Sequence, residues 1–161
     1  MNQTILVAGA TGYVGGRLVP LLLNQGYRVW AFTRSEAKVR SRPWGTHPAL
    51  EIAQGDMHDA ESVRRAVEGC GTVYYLVHSM EESHRDFSDA DRRAAYSMVK
   101  ALKGDSGRRI IYLSGLLPED PHLSAHLRSR GEVAEILSLS DASLTTLRAA
   151  QLIGAGSASF E

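Results

Sequence analysis

Short apolar runs alternate along the chain with longer stretches in which apolar residues return at helical spacing. Ile5–Ala8, Val29–Thr33, Leu50–Gln54, Thr72–Val77, Arg109–Leu113 and Leu144–Ala149 read as strands, rich in β-branched and aromatic residues and flanked by Gly, Asp or Ser. Between them, Val14, Leu18, Leu21, Leu22 and Gln25 trace a helix face that ends at Gly26. Val63, Ala66 and Val67 trace another behind an N-capping Asp59. Phe87, Ala90, Ala94, Ala95, Met98 and Leu102 mark a long helix, and Leu127, Val133, Ile136 and Leu137 mark a helix over about 124–139. The segment 36–49, with Pro43, Gly45 and Pro48, reads as a short helical turn and a loop. Strand and crossover alternate to the end, which predicts an α/β, three-layer Rossmann fold: a doubly wound parallel sheet of order 3-2-1-4-5-6.

Three glycines sharpen this picture. Gly9, Gly12 and Gly15 fall between the first strand and the first helix, spaced G-x-x-G-x-x-G. Gly9 permits a sharp turn, Gly12 lets a pyrophosphate approach the backbone, and Gly15 lets the helix lie close on the strand. Together with Thr11, Tyr13 and Val14 they form a candidate dinucleotide-phosphate site at the positive end of a helix dipole. In an open sheet of this order ligands bind beyond the C-terminal strand ends, so those ends supply the other candidates. The second strand ends at Arg34, which cannot accept from ribose hydroxyls but can pair with a 2′-phosphate, favouring NADP(H) over NAD(H). Asp56 and Met57 follow the third strand. The carboxylate either accepts from an adenine amino group, with Met57 against the ring, or caps the turn. Leu76, Val77 and His78 close the fourth strand, where the backbone would pass beneath a cofactor ribose; His78 also reads as a plain polar loop residue.

Composition narrows the class of protein. With 161 residues, 43% hydrophobic and 22% charged, the chain is expected to form a single domain, residues 1–161, without a separate substrate domain. Net charge is zero but uneven: residues 1–50 hold six Lys/Arg against one acid. That excess suits a phosphate-bearing small ligand and is too sparse for a nucleic-acid face. The single cysteine, Cys70, excludes an internal disulfide and fits a reducing cytoplasm; no run is long and apolar enough to predict a membrane span. His122 and His126 lie four apart, but no third ligand at supporting spacing accompanies them, so no metal site is expected.

The glycine loop, Gly55-Asp56-Met57 and the stretch Tyr74-Tyr75-Leu76-Val77-His78-Ser79-Met80 resemble the atypical, extended short-chain dehydrogenase/reductases. Within these the chain is most similar to NmrA-like, NAD(P)H-binding proteins related to nucleoside-sugar epimerases. The stretches His126–Val133 and Leu147–Gly154 add to the likeness. The resemblance implies a serine after the fifth strand and a Tyr-x-x-x-Lys on the next helix, where the tyrosine moves the proton and the lysine lowers its pKa. Ser114 matches the serine. His126 stands where the tyrosine would be and Arg130 where the lysine would be. Two function classes therefore stay open. One is an NADP-dependent oxidoreductase or epimerase-like enzyme acting on a small-molecule substrate, or its nucleotide-binding part. The other is a non-catalytic NAD(P)-binding redox sensor or structural module. A Rossmann-like domain for another nucleotide-bearing ligand is a third reading. An exposed last strand predicts pairing with another chain, as in a homo-oligomer, or with a further C-terminal segment.

Overall fold

The computed structural model describes residues 3–78, 84–117 and 124–155. Six parallel strands form one sheet: β1 (Thr4–Ala8), β2 (Arg28–Thr33), β3 (Leu50–Gln54), β4 (Thr72–Tyr75), β5 (Arg109–Gly115) and β6 (Ser143–Ala149). Their order is β3-β2-β1-β4-β5-β6, as the sequence predicts. The helices are α1 (Gly15–Asn24), α2 (Glu36–Arg40), α3 (Ala60–Val67), α4 (His84–Ala101) and α5 (Ala125–Leu137).

β1 is the middle of the molecule, with Ile5 to Ala8 all buried and its register fixed by Val7 opposite Ala31 of β2 and Tyr74 of β4. Because alternate side chains leave a strand on opposite faces, β1 feeds two separate cores. Ile5 and Val7 pack with Val19, Leu22, Leu23 and Val39. Leu6 and Ala8 join Val63, Met98, Leu102, Ile110 and Leu137 on the other face. The helix caps follow the sequence: Asp59 Oδ1 accepts from the Glu61 N–H at 3.0 Å, and Ser124 Oγ accepts from Leu127 N–H at 3.3 Å.

Three expectations are corrected. The buried stripe of α1 is Gly15, Val19, Leu22 and Leu23, while Leu21 is 62% exposed and Gln25 lies beyond the helix in solvent. An unbroken Leu21-Leu22-Leu23 run leaves the face ambiguous by spacing alone. The docking angle set at Gly15 decides it. β4 ends at Tyr75 rather than Val77, and β5 continues to Gly115.

Pro20 sits inside α1 and has no N–H to give the Gly16 carbonyl one turn earlier. The indole Nε1–H of Trp44 donates to that carbonyl instead, at 3.1 Å. The loop after α2 is thereby tied to the first turn of α1.

Candidate functional site

The turn between β1 and α1 is built around two contacts that only glycine permits. Gly9 has φ +89°, and a Cβ there would stand 2.8 Å from the Leu76 carbonyl oxygen. A Cβ on Gly15 would stand 2.2 Å from the Gly9 carbonyl oxygen, so α1 can lie this close to β1 only without a side chain. Gly12 is different. It is exposed, and a Cβ there would meet nothing nearer than the Gly9 oxygen at 3.3 Å. A methyl at Gly12 would be crowded by this one oxygen alone, far less than at Gly9 or Gly15.

The first turn of α1 is also left open electrically. Its N-cap position, Val14, offers no side-chain acceptor, and no acidic residue stands in the first turn. The N–H groups of Gly16 and Arg17 are bonded to the Gly12 and Val14 carbonyls, so the helix dipole and the N–H groups of Tyr13 to Gly15 are what this terminus offers to an anion. Arg17 stacks on the Tyr13 ring at 3.9 Å from its centroid and donates to the carbonyls of Tyr13 and Ala155. Arg42 donates to the Thr11 carbonyl. Three arginines, Arg17, Arg34 and Arg42, thus belong to the basic first third of the chain. Two of them bond directly to the glycine turn or its flank.

Beyond the C-terminal ends of β1, β4 and β5 opens a cavity of about 520 Å³. One wall is the glycine turn, with Gly9, Gly12, Tyr13, Val14 and Gly15. Leu76 and His78 form its floor. The far wall is Leu113, Ser114, Leu116 and, from α5, Leu127 and Arg130; residues 149–152 after β6 complete it. Cavities of this size and apolar character are typical of cofactor and small-molecule sites.

Among the described residues two buried polar atoms of the far wall, Ser114 Oγ and Arg130 Nε, have no partner in good hydrogen-bond geometry, although the Tyr112 hydroxyl lies near enough to Ser114 to feel it. Arg130 is held in place by Nη1, which donates to the Leu113 carbonyl at 3.3 Å, and its own carbonyl accepts from the Tyr112 hydroxyl at 3.2 Å. Burial pushes the Tyr112 hydroxyl above its usual range, and the Arg130 charge beside it pulls it partly back. Tyr75 packs edge-on against Tyr112 with centroids 5.8 Å apart, and burial raises its hydroxyl as well.

The remaining sequence candidates lie elsewhere. Met57 is 7% exposed and packs in the core with Phe32 and Val63. Asp56 uses Oδ1 to accept from the His58 N–H at 2.9 Å, and its backbone N–H donates to Ser62 Oγ at 3.1 Å, which is the turn role weighed for it. Thr11, half-buried, and Val77 do not line the cavity; Arg34 is exposed at the end of β2. The His126 side chain, His122 and the stretch Ser79–Glu82 lie outside the described residues. Sequence reasoning missed Arg42, Tyr112, Leu116 and Leu127. Only Tyr112 carried a signal, since period two places it on the same strand face as Ser114. Among the described residues no group of His, Cys, Asp and Glu could hold a metal ion, and no helix is long and apolar enough to cross a membrane.

A parallel sheet of this order, with a glycine turn opening a helix at the point where strand order reverses, defines a dinucleotide-binding protein of the Rossmann type. The chain belongs to the NAD(P)H-binding family, whose model matches residues 9–156. It is 30% identical over 144 residues to divinyl chlorophyllide a 8-vinyl-reductase of Oryza sativa subsp. indica, covering 83% of this chain and 36% of that one. It is 35% identical over 121 residues to dihydroflavonol 4-reductase of Zea mays, covering 69% and 34% respectively. The fold matches the enzyme WbmH of Bordetella bronchiseptica, solved in complex with NAD+, with a TM-score of 0.78 and 19% identity. That match covers 96% of this chain and 57% of WbmH. The chain therefore spans about a third of the length of these two reductases and just over half of WbmH.

Proposed function

We propose that the chain is the cofactor-binding part of an oxidoreductase or epimerase-like enzyme of the NmrA-like type, taking NADP(H) in preference to NAD(H). The observation that carries the reading is Gly12: exposed, in the cavity wall, and crowded by one atom of the fold, the Gly9 oxygen at 3.3 Å from an added Cβ. Backbone N–H groups from Tyr13 to Gly15 would hold the pyrophosphate, the Gly12 N–H being bonded to the Gly9 carbonyl at 3.1 Å. Arg34, exposed beyond β2, and Arg42, bonded to the Thr11 carbonyl, supply cations on the side where a 2′-phosphate would lie. A bound nicotinamide supplies or accepts a hydride. Ser114 and Arg130 stand in the opposite wall as donors able to polarise a substrate carbonyl as negative charge develops on its oxygen. The Arg130 guanidinium would stabilise charge, and delivery of the proton falls to His126 or to solvent.

The replacement of the Tyr-x-x-x-Lys pair by His126 and Arg130 favours a second reading, a non-catalytic NAD(P)-binding module. Calorimetric titration with NADPH, NADH and S-adenosylmethionine tests the ligand class. A cofactor-oxidation screen with carbonyl and quinone substrates then separates the two readings: cofactor binding with no turnover leaves only the module. The lone thiol of Cys70, buried in the core, supports a cytoplasmic setting. β6 is an outer strand with Leu147 50% exposed, which supports pairing with a second copy or with further chain.

A further inference from the structure

We propose that the cavity takes a substrate with an apolar body and a single carboxylate, and that Arg130 is the residue that binds the carboxylate. The inference rests on the cofactor reading above and deepens it. Several described arginines are matched with acids, Arg92 with Glu132 at 2.9 Å, Arg64 with Glu61 at 2.6 Å and Arg108 with Asp105 at 2.9 Å, while Arg17, Arg34, Arg42 and Arg93, which pair with no described acid, are exposed to water. Arg130 is half-buried in the cavity wall, and no described carboxylate forms an ion pair with it. A guanidinium drawn out of water without a counter-charge is costly, and an anionic ligand offsets that cost.

The orientation of the group is specific. Nη1 is spent on the Leu113 carbonyl, and Nε is withdrawn from solvent with no partner. What this leaves to a ligand is Nη2, a charged donor that can give a hydrogen bond to a carboxylate oxygen. Tyr112, through its bond to the Arg130 carbonyl, fixes the turn of α5 that carries the guanidinium. Among the described lining residues Arg130 is the one lysine or arginine, and Leu76, Leu113, Leu116, Leu127 and Leu152 surround it. One positive charge in an apolar wall suits a monoanion better than a phosphate dianion.

The test is calorimetric titration of NADPH-saturated protein with hexanoate, octanoate and 3-phenylpropionate. The matching primary amides and phenyl phosphate are titrated alongside. At least one carboxylate should bind about tenfold or more tightly than its amide, a difference of about 1.4 kcal/mol. Arg130→Met should abolish that preference while NADPH affinity stays within about twofold, and Arg130→Lys should keep part of it because an ammonium still supplies the charge. Equal binding of acid and amide, no binding of any acid, or tighter binding of phenyl phosphate overturns the proposal. A loss of NADPH affinity in Arg130→Met equal to the loss of acid affinity also overturns it, assigning Arg130 to the cofactor. If NADPH itself does not bind, the cofactor reading is what fails, and the comparison of acid with amide on the free protein still decides this one. That wild-type comparison stands even where Arg130→Met does not fold.

Discussion

Replacing Gly12 by alanine separates a glycine that the fold needs from one that a ligand needs. At Gly15 the added methyl would sit 2.2 Å from the Gly9 oxygen and 2.8 Å from the Ala10 Cα, both backbone atoms that cannot swing aside. α1 would have to lift off β1 by roughly 1 Å, an overpacking strain of about 1–3 kcal/mol. In a chain of this size that lowers Tm by about 2–10 °C. At Gly12 the added methyl meets only the Gly9 oxygen, at 3.3 Å, and the backbone there has no left-handed φ to forbid it. Gly12→Ala should therefore shift stability by no more than about 1 kcal/mol, the stiffer unfolded chain set against the close Gly9 oxygen. The same methyl stands in the path of the pyrophosphate and holds it away from the α1 N–H groups. A loss of at least about tenfold in NADPH affinity, or about 1.4 kcal/mol, is expected. Thermal melts and calorimetric titration of both variants measure the two quantities independently. If Gly12→Ala binds NADPH as tightly as the parent while folded, the phosphate does not lie against this turn, and the reasoning from Gly12 is refuted.

Other expectations follow from separate parts of the molecule. Arg34→Ala should weaken NADPH more than NADH, and equal losses would remove the 2′-phosphate argument. Leu102, fully buried between α4 and the sheet, should lose about 2–5 kcal/mol on replacement by alanine, read as a shifted urea midpoint at constant slope. Burial pushes the Cys70 thiol up to about 11, so in the native protein it stays protonated where an exposed thiol would ionise. Its reaction with a disulfide reagent at pH 8 should be slow when folded and fast in denaturant. Because the folded pKa is the higher one, Cys70 contributes stability that is present below about pH 9 and is lost as pH rises towards 11. Cys70→Ala should lose less stability than the parent across that window, and an identical pH profile would count against the buried-thiol assignment.

The sheet was legible because each strand is a short apolar run and each crossover carries its own helical spacing or turn residues. Pattern and topology point to the same order. The glycine turn was legible for the same reason, since its spacing is meaningful only between a strand and a helix. What escaped depends on contacts between distant segments. The match between Trp44 and the carbonyl left over by Pro20 spans 28 positions and has no local signal. Met57 follows a strand end where a ring could lie, and only the packing of Phe32 and Val63 draws it into the core. The neighbourhood of Arg130 is set by Leu113 and Tyr112 on another element, so spacing could place the residue on α5 but could not say that no described acid pairs with it.

The bond from Trp44 to the first turn of α1 also gives the molecule a light-based readout. The protein has two indoles. Trp44 is half-buried and bonded to Gly16, immediately behind the turn where the phosphates are placed. Trp30 lies in β2 with its Nε1–H shut away from solvent and from any acceptor. The two should emit at different wavelengths, the unbonded indole further to the blue. A cofactor settling on the turn perturbs Trp44 first, so Trp30 serves as an internal reference within the same spectrum. Trp44→Phe would leave a single steady emitter, and occupancy of the turn would then pass without a change in colour.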